Sequence, residues 1–149
     1  MAFEFKVQRR VEFSETDMAG IVHFSNFFKY METVEHAFYR SLGFSAILRQ
    51  EDPLMGLPRV HASCDYRKPI RFEDLLEIHL LVRDKRPKVL SYTIRFRNIS
   101  AQPPVDVAVG KLTVVCVCAS PDGSMVSAPL PGDLAAKIDI APRELLGEG

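Results

Sequence analysis

One change of rhythm governs what this chain can become. In FEFKVQRRVEF, residues 3 to 13, apolar and charged side chains alternate, with Phe3, Phe5 and Val7 followed by Val11 and Phe13. That is the period of a half-buried strand. From about Phe24 the period lengthens. Phe27, Met31, Val34, Phe38 and Leu42 recur at steps of three and four, which sets them on one helical face, and Gly43 supplies the stop. The strand rhythm then returns in LPRVHASCDY, DLLEIHLLVRD, LSYTIRFRN and VDVAVGKLTVVCVCA. Short connections between these runs imply an antiparallel sheet. One helix with a single apolar stripe packs across one face of such a sheet, so the expected fold is α+β, with about five to six strands around one long helix. Three weaker features complete the pass. SAILRQ, residues 45 to 50, is expected to add a turn of helix; Pro121-Asp122-Gly123 marks a turn before MVSAP, a last short strand; and a short helix is expected after Gly132.

The 149 residues suit one domain, taken as residues 1–149, with a core that needs no disulfide or metal. Nineteen basic residues cancel nineteen acidic ones, which argues against a nucleic acid or an anionic membrane as partner. Three cysteines, none in a C-x-x-C pair, argue against a disulfide framework and against zinc. A reducing cytoplasm is the expected compartment. The start, MAFEFKVQRR, has the alternating charge of a strand rather than the apolar run of a signal peptide. No apolar run approaches the roughly 20 residues of a membrane span.

Chemistry concentrates in ETDMAGIVHFSNFF, residues 15 to 28. Asp17 closes the first strand, Gly20 permits a turn that a larger residue resists, and the helix starts near Phe24. A helix start presents unpaired N–H groups and partial positive charge. An oxyanion forming there is stabilised, and one such donor is worth roughly 3 to 4 kcal/mol of barrier. A neighbouring carboxylate can attack an acyl carbon or take a proton from water. Carboxylate plus oxyanion donor is a minimal hydrolase site that needs neither metal nor serine. Ser25 reads as a helix cap, since no G-x-S-x-G elbow surrounds it.

The element order resembles the hotdog fold, and VEFSETDMAGIVHFSNFF, from Val11, resembles the signature of the 4-hydroxybenzoyl-CoA thioesterase family. Weaker similarity continues through HASCDYRKPIRFEDLLEIHLLV, so the likeness runs from about Phe3 to Ser120. The resemblance implies hydrolysis of an acyl-CoA thioester, with Asp17 as nucleophile or general base and the backbone N–H of Phe24 as oxyanion donor. Gly20 matches the turn glycine and Asn26 the helix asparagine. His23 stands near Asp17, but His23-Phe24 inverts the family's usual aromatic–histidine order. Phe27 is expected to divide between core and pocket. For the CoA phosphates the resemblance points to the basic run RDKRPK, with Arg86 and Lys88 matching by position and Lys68 and Arg71 as second candidates. No cofactor is implied, since CoA is part of the substrate. Hotdog sheets generally pair edge to edge, so a homo-oligomer, dimer or tetramer, is expected.

Other polar groups read as structural. Glu32 and Glu35 are expected off the apolar stripe, solvated or at a subunit contact. His61 and Asp65, four apart on a strand, share a face as a surface or buried pair. Cys116 and Cys118 are expected to pack as small apolar groups. The expected function is hydrolysis of a small acyl-CoA, aromatic or short-chain. Its rivals are a non-catalytic acyl-CoA-binding or regulatory module and a hotdog hydratase or dehydratase. The last calls for an aspartate–histidine dyad whose spacing is not found here.

Overall fold

The computed structural model describes residues 1–147, so the domain expected to run to Gly149 includes two residues, Glu148 and Gly149, outside the described part. Five strands make the main sheet: β1 (Glu4–Arg10), β4 (Arg59–Tyr66), β5 (Leu75–Lys85), β6 (Val89–Asn98) and β7 (Val105–Val115). Their order is β1-β5-β6-β7-β4, and each pairing is antiparallel. β5 shows why the sheet holds its register. Leu76, Ile78 and Leu80 are fully buried, while the residues between them are partly exposed. A slip of one residue would turn that apolar row outward. Helix α1 (Asn26–Ser41) crosses the inner face. Phe27, Met31, Val34 and Phe38 are at most 3% exposed and meet Ile78, Tyr92, Ile94, Phe96 and Leu112 of the sheet in one core. At Gly110 of β7 a side chain would put its Cβ 2.6 Å from Met31 Sδ, so glycine gives the helix room there.

Three expectations need correction. Residues 45 to 50 hold a strand, β2 (Ile47–Arg49), instead of a helical turn. The run expected as one strand to Ala119 breaks at Cys116 into β7 and β8 (Val117–Ala119). β8 leaves the main sheet and joins β2, β3 (Met55–Gly56) and β9 (Met125–Ser127) in a small sheet of order β2-β3-β8-β9. At the break Cys116 donates its N–H to Lys88 O and accepts from Ala128, and its side chain packs in the core. The third correction is Glu35. It lies four residues beyond Met31 and four before Tyr39, hence on the buried stripe, and it is 1% exposed. After β9 the chain forms two single turns, α2 (Gly132–Ala135) and α3 (Arg143–Leu146). No helix among the described residues is long and apolar enough to cross a membrane.

Burying a carboxylate requires partners, and Glu35 has several. The Arg59 guanidinium of β4 binds Oε1, and Tyr39 donates its hydroxyl to Oε2 at 2.7 Å. Tyr39 in turn lies 2.9 Å from the Tyr92 hydroxyl, which donates to it. Burial pushes the Glu35 carboxyl above its ordinary value, while Arg59 and Tyr39 pull it back down. The folded state therefore holds the proton more tightly than the unfolded chain. Stability is lost as pH rises from the unfolded value of 4.5 through the raised folded one. Replacing Arg59 by Met keeps the stem and strands the charge. The guanidinium is 35% exposed, so the expected cost is about 1–3 kcal/mol, below that of a fully buried pair. Urea unfolding of Arg59→Met should show this loss near pH 8 and a smaller one near pH 5, where Glu35 takes up a proton.

Candidate active site

The site grows from the end of β1. Arg9 points inward, and its guanidinium binds Glu15 Oε2 through Nη2 at 2.6 Å and Nε at 3.0 Å. Glu15 Oε1 accepts the Glu12 N–H at 2.8 Å, closing a 3-10 turn over Phe13–Glu15. The Glu15 carbonyl takes two more donors, His23 N–H at 2.9 Å and Asn26 Nδ2 at 2.8 Å. One residue thus joins β1, the turn and the helix start. Burial alone would push the Glu15 carboxyl up, but the bonds from Glu12 and Arg9 outweigh it and hold the group low.

Between Glu15 and His23 the chain makes a small hairpin. Thr16 bridges Val22, Asp17 N–H donates to Ile21 O, and Gly20 N–H donates to Asp17 O. Gly20 has φ +79°, the left-handed region that this turn demands. Asp17 Oδ1 accepts the Ala19 N–H at 2.8 Å, an Asx turn that fixes the carboxylate and leaves Oδ2 without a protein donor among the described residues. The hairpin docks on the β4–β5 connection through Ile21–Arg71 pairing and Val22 N–H to Ile70 O.

The helix begins at Asn26, two residues beyond the expected start, because His23 to Ser25 form a tighter entry turn. Asn26, Phe27 and Phe28 donate to the carbonyls of His23, Phe24 and Ser25. Ser25 stands at the cap position, but its hydroxyl meets His23 Nδ1 at 2.7 Å instead of capping the helix. The Ser25 N–H also reaches His23 Nδ1. The Phe24 N–H has no acceptor among the described residues. The Phe24 carbonyl accepts the Tyr66 hydroxyl at 2.9 Å, and burial pushes that phenol up to about 12, so it keeps the proton it donates.

Hairpin, helix start and the end of β4 enclose a cleft of about 460 Å³. Asp17 and Phe24 line it with Ile21, Val22, Phe27, Tyr66 and Ile70, and Arg67 and Lys68 add two cations. Phe27 and Tyr66 meet edge to face with centroids 5.2 Å apart. A carboxylate oxygen and an unpaired N–H beside an apolar, aromatic-walled cleft suit attack on a carbonyl whose substituent is apolar.

The structure brings together Asp17, Phe24 and Phe27. Gly20, His23 and Asn26 do not line the cleft: Gly20 shapes the turn, His23 stacks on Phe24, and Asn26 ties helix to loop. Arg86 and Lys88 stand on the β5–β6 hairpin, across the 11-residue length of β5 from the cleft, about 35 Å of strand. Arg86 binds Asp84 there, and Lys88 reaches Ser127 Oγ at 3.5 Å. Of the second candidates Lys68 lines the cleft. Sequence reading missed Tyr66 and Arg67. Their signal was position alone, the last inward residue of a strand and the cation after it.

The family described as Thioesterase superfamily matches residues 19–103. The chain therefore belongs to the Thioesterase superfamily. A protein of Aquifex aeolicus (strain VF5) is 35% identical over 125 residues, 84% of this chain and 91% of that one. The 1,4-dihydroxy-2-naphthoyl-CoA hydrolase of Synechococcus sp. (strain CC9605) is 30% identical over 130 residues, 79% and 85% of the two chains. The 4-hydroxybenzoyl-CoA thioesterase of Pseudomonas sp. strain CBS-3 shares the fold with a TM-score of 0.77 at 17% identity, over 91% of this chain and 99% of that one. The fold is the hotdog fold, and the activity class is thioester hydrolysis.

Replacing Glu15 by Ala frees Arg9, Glu12 N–H and the loop at once. The expected loss of stability is about 1–3 kcal/mol. The depressed Glu15 carboxyl stabilises the fold above its unfolded value, and that contribution disappears as pH falls through the folded one, so the loss shrinks in acid. Thioester turnover should fall about tenfold or more with Asp17 intact, because the loop no longer holds its geometry. Chemical denaturation and thiol-release assays measure the two effects.

Proposed function

We propose that this enzyme hydrolyses a small aromatic acyl-CoA to the free acid and CoA. The observation that carries the reading is that Asp17 and Phe24, whose N–H has no acceptor among the described residues, line one cleft walled by Phe27 and Tyr66. In this reading the acyl ring lies between those two side chains, with edge-to-face packing available on each. The thioester oxygen points at the Phe24 N–H. The free Oδ2 of Asp17 faces the carbonyl carbon. The carboxylate attacks it and CoA thiolate leaves, after which water opens the anhydride; or the carboxylate takes a proton from water, which attacks instead. Lys68 at the mouth favours an anionic substrate. The aromatic acyl groups named for two of the proteins above agree with this wall chemistry; a short aliphatic chain is the alternative.

A homo-oligomer built on β4 completes the reading. β4 is an edge strand of the main sheet, and Val60 and Tyr66 on it are 63% and 46% exposed. A second copy pairing there would cover that edge. The compartment proposed is the cytoplasm, in keeping with three free cysteines.

Asp17→Asn should lower kcat about a hundredfold or more while leaving the melting temperature and CoA binding near wild type. The assay is thiol release across benzoyl, hydroxybenzoyl, hydroxyphenylacetyl, short-chain and long-chain CoA thioesters. Near-normal turnover by the variant would remove Asp17 from the reaction. No release by the wild type, with CoA still bound, would favour a non-catalytic module. Single turnover in labelled water separates the two routes, since only the anhydride route puts the label into Asp17.

A further inference from the structure

The outer face of the main sheet, away from α1, carries a groove of about 570 Å³ that the cleft chemistry does not use. Lys6 of β1, Arg95 and Arg97 of β6, Lys111 of β7 and Arg67 line it, against the carboxylates of Glu77 and Asp106. Five cations against two carboxylates leave a strong positive excess in a chain whose total charge is zero. Only Arg97 is paired, to Asp106 at 3.5 Å; Lys6, Arg67, Arg95 and Lys111 have no carboxylate partner among the described residues. His79, also in the lining, bonds Glu4 at 2.7 Å, and burial lowers its proton affinity, so it adds little charge near neutrality. Leu146 and Gly147, at the end of α3, overhang the groove and make it concave.

Arg67 lines both this groove and the Asp17 cleft. Arg95 pairs with Val109, and Val109 with Asp65, two residues before Arg67. Two strand spacings put Arg95 about 10 Å across the sheet from Asp65. The groove is thus a continuation of the cleft around the end of β4.

We propose that this groove holds the phosphates of the nucleotide end of the acyl-CoA. The inference rests on the thioesterase reading above. With the thioester beside Asp17, the pantetheine arm passes Arg67 and sets the pyrophosphate and 3′-phosphate among Arg95, Lys111 and Lys6. Clustered unpaired guanidinium and ammonium groups suit phosphate oxygens. A second copy of the same face would bring like charge against like, which disfavours that occupant. Arg86 and Lys88 are the competitor, but they lie at the other end of the sheet, and Arg86 is already bound to Asp84.

The test compares three proteins, wild type, Arg95→Gln/Lys111→Gln and Arg86→Gln/Lys88→Gln, with Lys6→Gln as a milder groove variant. Each is assayed with one aryl-CoA and with the same acyl group on N-acetylcysteamine, which lacks the nucleotide. CoA itself is titrated by calorimetry. The groove double variant should raise KM for the CoA ester at least about tenfold, with kcat and the N-acetylcysteamine rate unchanged, and should weaken CoA binding to the same degree. Lys6→Gln should show a smaller shift of the same kind. Unchanged KM in both groove variants, with a rise in the hairpin variant, overturns the proposal in favour of Arg86 and Lys88. A fall in oligomer mass on sedimentation with unchanged KM overturns it in favour of a contact between copies. If no thioester is cleaved but CoA binds and the groove variants lose it, the phosphate site stands and the catalytic reading falls.

Discussion

The bonds that converge on Glu15 are what the rest of the site depends on. Its carboxylate takes Arg9 from β1 and an N–H from its own turn, while its carbonyl takes the loop at His23 and the helix at Asn26. Without these ties the chain from Val11 to Phe27 would have to find its path through weak turn bonds alone. With them, the hairpin tip that carries Asp17 and the entry turn that carries the Phe24 N–H are referred to one buried residue. The core supplies the rigid backing. Phe27 is anchored against Phe96 and Tyr30, so the cleft has a fixed floor.

Much of this was legible because the elements that matter are long and periodic. The 16 residues of α1 and the 11 of β5 give many repeats of their own rhythm, and their burial follows it. Where the repeats run out, the reading failed. β2 has three residues and β3 two, too few to show a period, and the small sheet exists only because β8 swings away at Cys116. Glu35 failed for a different reason. Its spacing from Met31 and Tyr39 was on the page, but a carboxylate on a buried stripe makes sense only once Arg59, 24 residues further on, is known to reach it.

At the site, residue type and order sufficed for Asp17, Phe24 and the turn glycine, because a carboxylate, a tight turn and a helix start in one short segment restrict one another. The neighbours supplied by other elements were not visible in that way. Tyr66 and Arg67 come from the end of β4, and nothing local marks them as partners of a loop more than 40 residues earlier. Charge runs misled in the opposite direction. RDKRPK is the densest basic run in the chain, yet the sheet distributes its larger positive surface across β1, β6 and β7, one side chain at a time.

The Tyr66 hydroxyl, 42 residues from Phe24 in sequence, pins the Phe24 carbonyl and with it the backbone on one side of the unpaired N–H. That hinge is therefore held by the rim of the sheet as well as by its own helix. A strand at a rim responds to whatever lies alongside it. Displacement of β4 by a fraction of an ångström would rotate the Phe24 peptide, while the buried floor at Phe27 stayed in place. The loop's aim is thus calibrated by its border, and the tolerance of the site is the tolerance of that border.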